Sequence, residues 1–164
     1  MAGNRDKVRM SEAEVASFLG SQVKVQVASL DRDGGPHLTT LFYVLDGDRI
    51  AFWTYGRSQK VRNLERDDRV SCLVEDGTDY FELRGVSVRG RAEIVRDPDE
   101  VYRIGSAVVT AMTGAASFEE LGELGRAEVE RQVAKRVAVV VRPEKVASWD
   151  HAKLVPSPAT TEGG

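Results

Sequence analysis

In the stretch "SEAEVASFLG", residues 11–20, the apolar positions Val15, Phe18 and Leu19 fall three and four apart, the spacing of one helical face. Ser11 with Glu14 three residues on forms a capping box, so a helix is predicted from Ser11, and Gly20 can end it. Residues 1–9 before it are polar and expected to be loose. The period then changes to two. "KVQVASL" alternates and runs into the turn "DRDGGP". "HLTTLFYVL" reads as one strand, with Leu41, Tyr43 and Leu45 on one face and Leu38, Phe42 and Val44 on the other. "DGD" closes a hairpin onto "RIAFWTY". "RVSCLVED" and the long "DYFELRGVSVRGRAEIVRD" continue the alternation, with Gly85 and Gly90 placed where a bulge or bend would serve. Five or six strands joined by tight meander turns predict an antiparallel barrel.

The pattern returns to a helical period at "DPDEVYRIGSAVVTAM". Asp97 is the N-cap, Pro98 occupies the first turn and Glu100 completes a capping box, while Val101, Ile104, Val108 and Met112 form the predicted buried stripe. "FEELGELG" reads as broken helix and "RAEVERQVAKR" as a firmer one with Val129 and Val133 inward. "VAVVVRP" is the last predicted strand, ended by Pro143, and "EKVASWDHAKL" an ordered tail. "VPSPATTEGG" is low in complexity and expected to be disordered. The division is therefore one domain over 1–155 and a disordered tail over 156–164.

Composition removes several classes of function. The 164 residues carry a net charge of −3, so no global basic excess draws the chain to nucleic acid and any anion site must be local. No apolar run approaches eighteen residues, so no membrane span is expected. The N-terminus lacks the apolar segment of a signal peptide, and the single cysteine, Cys72, excludes an intrachain disulfide. Both point to a reducing, cytoplasmic setting. Cys72 within "VSCLV" reads as a core residue, and His37 and His151 with one cysteine do not make a metal site. Walker, dinucleotide-binding and H-E-x-x-H patterns are absent.

One segment carries chemistry. In "TYGRSQKVRNLERD" a strand end delivers Thr54 to a glycine and then to Arg57, Ser58, Lys60 and Asn63, with Ser58 as N-cap of a helix over 59–66. A helix start exposes unpaired N–H groups and a partial positive charge, and with a guanidinium and an ammonium beside it the set suits a phosphate. The same residues also fit an exposed basic helix start whose charges pair across the surface with "ERDD". Residue types alone leave both readings open.

The run from "GGPHLTTLFYVLDGDRIAFWTYGRSQKVRNL" to "LRGVSVRGRAEIV" resembles the pyridoxamine 5′-phosphate oxidase-like split β-barrel superfamily. More narrowly it is similar to the actinobacterial F420-dependent flavin/deazaflavin oxidoreductases of type B. The likeness rests on the "DG" hairpin, on the block "RSQKVRNLERDDRV", on "LRGVSVRGRAE" and on the closing "VRPEKVASWDHAKL", and covers residues 11 to 155. It implies a mostly β fold with flanking helices, a six-stranded antiparallel split barrel of the FMN-binding type. It implies a homodimer with two cofactor sites at the interface.

The cofactor implied is coenzyme F420, with FMN as the alternative. Its phosphate would sit among Thr54, Arg57, Ser58, Lys60 and Asn63. Its ring would lie along Thr39, Thr40 and Leu41. Trp149 and His151 would reach the site of the other subunit, although Trp149 by residue type alone is a packing anchor for the tail. Arg57, Lys60, Arg62 and Lys24 would form a basic lane for the charged F420 tail. The activity implied is hydride transfer from reduced deazaflavin to an unsaturated small molecule. An FMN-dependent oxidase or reductase, or a non-catalytic binder of F420, flavin or tetrapyrrole, stands as the alternative. No residue is assigned as catalytic: the proton for the acceptor is left open among Tyr43, Tyr55, His37 and solvent.

Overall fold

A computed structural model describes residues 3–156. Strands β1 (Lys24–Leu30), β2 (Pro36–Phe42), β3 (Val44–Asp46), β4 (Arg49–Tyr55), β5 (Arg69–Asp76), β6 (Arg84–Val95) and β7 (Arg136–Asp150) form one antiparallel sheet in the order β2-β1-β5-β6-β7-β4-β3. The helices are α1 (Asn4–Val8), α2 (Glu12–Ser21), α3 (Gln59–Arg66), α4 (Pro98–Thr113) and α5 (Gly122–Val133).

The strand order dictates the curvature. β2 and β3 are the two edges of the sheet, yet only Tyr43 separates them in the chain. A single residue spans less than 4 Å, so the sheet must curl until its edges meet, which makes a barrel. Tyr43 fixes the crossing: its N–H donates to Val23 O at 3.0 Å and its hydroxyl to Leu19 O at 2.5 Å. "HLTTLFYVL" is therefore two segments paired to different neighbours, β1 and β4, and seven strands replace the six expected.

Closure is incomplete. β3 pairs only with Arg49–Ala51, so β4 from Phe52 to Tyr55 has a ladder on its β7 side alone, and the outer edge of β2 has none. Moving away from Tyr43, these two edges leave a split. β7 runs antiparallel to β4 and β6, which places Arg136, Tyr55, Leu30 and Pro36 at the same end of the barrel and Asp150 at the other. α3 follows β4 directly and packs on β1 and β6 at the Arg136 end.

Inward-facing Val25, Val27, Phe52, Val70, Cys72, Val74, Val86 and Val139 fill the barrel with Tyr43. The outer faces of β4 and β7 pack Ala51, Trp53, Ala138 and Val140 under Val101, Ile104 and Val108 of α4 and Val129 of α5. Alternation along the strands thus serves two cores, one on each face.

Several local expectations change. Residues 4–8 are helical, and Val8 and Met10 are buried, pinned where Met10 N–H donates to Ser148 Oγ at 3.1 Å. The Ser11–Glu14 capping box forms, but α2 continues past Gly20 to Ser21. Asp97 caps α4, whereas Glu100 pairs with Arg103 instead of closing a capping box. Met112 is 47% exposed and leaves the stripe, since it lies on the last turn, beyond the sheet. Pro143 does not end the last strand: β7 continues to Asp150, because the missing N–H falls at a register shift opposite Arg89/Gly90. The tail expectation at 156–164 lies, but for Pro156, outside the described residues.

Candidate functional site

The barrel end beneath α3 gathers polar side chains that the rest of the interior lacks. Strand alternation points Ile50, Phe52 and Thr54 of β4 inward and Ala51, Trp53 and Tyr55 outward. Thr54 is therefore the last inward residue before the chain turns at Gly56 into α3. Lys60, on the first turn of α3, is only 9% exposed, and its Nζ donates to Thr54 Oγ1 at 3.2 Å. No carboxylate lies within ion-pair distance of it among the described residues. Burial holds the ammonium below the usual lysine range, and repulsion from Arg136 adds to this.

Arg136 is a site residue that sequence reading did not single out. At the start of β7 it pairs with Tyr55, and its guanidinium lies 4.2 Å from the centroid of Tyr55 and 4.5 Å from that of Trp53. Its Nε donates to Gln132 Oε1 at 3.2 Å, so it too is held by neutral groups. The only sequence signal was a cation at a strand start, which is uninformative until β4 and β7 are known to be neighbours. Arg57 is exposed and makes no ion pair among the described residues. Lys60 and Arg57 thus stand at one helix start with no ion-pair partner among the described residues, and Arg136, on the outer face of β4 with Trp53 and Tyr55, acts on Lys60 through its charge.

Ser58 is the N-cap of α3, with extended backbone, but its side chain makes no capping bond. Its Oγ is buried without a partner. Asn63 is fully committed: Nδ2 donates to Ser29 Oγ at 3.1 Å and to Asp31 Oδ1 at 2.9 Å, while Oδ1 accepts from Gln59 at 2.9 Å and Arg66 at 3.3 Å. It ties α3 to β1 and so positions Ser58 and Lys60. Arg62 sits on the other flank of α3, in a hollow it shares with Asp31, Asp33 and Glu65, and Lys24 lies at the far end of β1. Neither extends the lane of Lys60.

On β2, Thr39 and Leu41 face inward opposite Val27 and Val25, and Thr40 faces outward and is exposed. Trp149 lies toward the Asp150 end, its indole covering Gly85 so closely that a Cβ there would come within 2.3 Å of Cζ2. Within one chain it is a packing anchor, away from Lys60. Tyr43 is buried, its hydroxyl is spent on Leu19, and burial raises its ionisation far above the ordinary range. Cys72 is likewise buried, its thiol pushed up to about 12. No cluster of three or more His, Cys, Asp or Glu with metal-site geometry occurs among the described residues, and no described helix is long and apolar enough to cross a membrane.

A barrel split along one side and carrying uncompensated cations at a helix start defines the class of split-barrel proteins. Within that class, the chain belongs to the pyridoxamine 5′-phosphate oxidase family, whose model matches residues 11–150. It is similar to a conserved hypothetical protein from Mycobacterium tuberculosis, at 39% identity over 99% of this chain and 98% of that one, with a TM-score of 0.84. An F420 reductase shares the fold at 24% identity, 80% and 94% coverage and a TM-score of 0.55. An FAD-binding protein from Mesorhizobium loti shares it at 18% identity, 85% and 94% coverage and a TM-score of 0.64. Among curated proteins, none matches the chain.

Proposed function

We propose that this protein is an F420-dependent oxidoreductase that reduces an unsaturated small molecule. The observation that carries the reading is Lys60: a buried ammonium, a neighbouring guanidinium and an unused Ser58 hydroxyl at one helix start, with no carboxylate among them. A phosphoryl group supplies what that set lacks, namely negative charge and acceptor oxygens. Reduced F420 provides the hydride at its deazaflavin ring. The chain's own residues bind and orient. Lys60, Ser58, Thr54 and Arg57 seat the phosphate, and Arg136, backed by two aromatic faces, adds a third cation. Thr39 and Leu41 border the ring along the open edge of β2. Asn63, carried over by resemblance as a phosphate contact, acts here through α3, whose start it positions.

The working unit in this reading is a homodimer. Trp149 and His151 stand at the opposite end of the barrel from Lys60, so they complete a site only in a second copy.

Turnover tests the reading. Purified protein is mixed with reduced F420 and a panel of enones, quinones, nitroaromatics and tetrapyrroles, and cofactor reoxidation is followed. Reoxidation with at least one acceptor is expected. Tight F420 binding with no acceptor turned over would make the protein a carrier, and a chain purified with a flavin spectrum would replace F420 by FMN. Lys60→Ala and Arg57→Ala are each expected to weaken cofactor binding by about 1–3 kcal/mol, the scale of a lost charge-assisted hydrogen bond. Unchanged affinity in both sinks the phosphate seat.

A further inference from the structure

Lys60 is the one buried lysine among the described residues; Lys7, Lys24, Lys135, Lys145 and Lys153 are all exposed. Its Nζ meets a single hydroxyl, that of Thr54 at 3.2 Å, and no carboxylate within ion-pair distance among the described residues. The ammonium form suits this place poorly. Burial strips its hydration, and the charge of Arg136 repels it. Loss of the proton relieves both penalties, and a neutral, desolvated lysine amine is a nucleophile.

The surroundings favour negative charge as well as neutrality. Arg136 is held by the amide of Gln132 and the rings of Trp53 and Tyr55, with no carboxylate on it among the described residues. Thr54 Oγ1 accepts from Lys60, which leaves its own hydroxyl proton for an acceptor. A helical side chain leans toward the N-terminus of its helix, so Lys60 reaches back to the start of α3, where the first N–H groups are unpaired. Ser58 Oγ, at that same start, is buried without a partner.

A small neutral electrophile that turns an amine into an anion, with neither metal nor cofactor, is carbon dioxide. We propose that Lys60 adds carbon dioxide at Nζ to form a carbamate when no phosphorylated ligand is bound. The amine lone pair attacks the carbon and an N–C bond forms. One C=O π pair moves onto oxygen, and the proton on nitrogen leaves to water; nothing is oxidised or reduced. The carbamate replaces repulsion from Arg136 by attraction and gives the Thr54 and Ser58 hydroxyls an acceptor. A carbamate on Lys60 and a phosphoryl group beside it repel each other, so carbon dioxide and a phosphorylated ligand compete for the helix start. The carbamate itself does not rest on the F420 reading, since it needs only the amine and its neighbours.

Trapping tests the proposal. The protein is equilibrated with ¹³C-bicarbonate at mildly alkaline pH, alkylated with a trialkyloxonium salt and digested with trypsin. An esterified carbamate is expected on Lys60, where it blocks cleavage and leaves residues 58–62 in one peptide, and on none of the exposed lysines. Lys60→Arg keeps the charge and cannot form the adduct, so it should abolish the label together with the ¹³C carbamate resonance of the unsubstituted chain. Arg136→Gln should lower the label about ten-fold, because it removes both the repulsion of the ammonium and the attraction of the product. If Arg136→Gln does not fold, the ¹³C resonance, expected in the unsubstituted chain and not in Lys60→Arg, decides alone. Label at Lys60 no greater than at the exposed lysines overturns the proposal. Saturating F420 is expected to suppress the label. Label that forms and persists under F420 would uphold the carbamate and overturn the phosphate seat, so the two readings fail separately.

Discussion

A lysine ammonium withdrawn from water costs folding free energy unless an anion faces it. Lys60 meets only the Thr54 hydroxyl and the field of Arg136. Its folded ionisation constant lies below the unfolded one, so the unfolded chain binds the extra proton at alkaline pH. Stability without ligand should therefore rise with pH in the window between the depressed value and the ordinary 10.5. Lys60→Met is expected to remove that rise and to stabilise the unliganded protein by roughly 1 kcal/mol at pH 7, while abolishing the thermal upshift that the proposed function predicts on adding F420. Melting curves with and without cofactor read both effects. A Lys60→Met variant less stable than the parent would mean that the ammonium is a structural tie and not a waiting counter-charge. The segment around Lys60 was legible as basic; its burial was not, because burial depends on Thr54 and Arg136 meeting across strands distant in sequence.

The β6–β7 ribbon carries the clearest element-scale constraint. Strand β7 passes through Pro143 because β6 offers Gly90 at the register shift, where the two backbones approach. A Cβ at Gly90 would lie 2.0 Å from Arg142 O, a backbone atom that cannot rotate aside. Gly90→Ala should cost about 2–3 kcal/mol in urea unfolding. Gly20 is the control: it is helical and nothing lies within 4 Å of a Cβ there. Gly20→Ala should instead stabilise by about 0.5–1 kcal/mol. Equal effects at the two positions would remove the close approach as the reason for Gly90. Gly90 was legible as a bend, yet Pro143 read as a stop, since a proline's tolerance depends on what its partner strand offers.

At the scale of the whole molecule, the two ends of the barrel carry complementary equipment. One end holds Lys60, Arg57 and Arg136. The other presents Tyr80 and Phe81, exposed and in edge-to-face contact at 5.3 Å, with Tyr80 4.6 Å from His151. In an isologous dimer each end of one chain can meet the opposite end of its partner. Sedimentation should give twice the mass of the chain, with two F420 bound per dimer. A monomer that binds F420 at full affinity would remove Trp149 and His151 from the site.

The sequence by itself determined what depends on neighbours a few residues apart. The Ser11–Glu14 box, the Asp97 cap, the alternating strands and the helix start at Ser58 all follow from local hydrogen bonding and side-chain periodicity. It determined equally that basic and hydroxyl groups cluster over residues 54–60. Only the tertiary structure decided that one apolar run divides at Tyr43 to form both edges of the sheet. Only it decided that Asn63 is spent inside, that Arg136 comes close enough to Lys60 to depress its ionisation, and that His37 Nδ1 and Thr39 Oγ1 are buried without a partner. These depend on which strands pair and where the barrel fails to close. Chain-wide competition for hydrogen-bond partners sets that, and no short window of residues contains it.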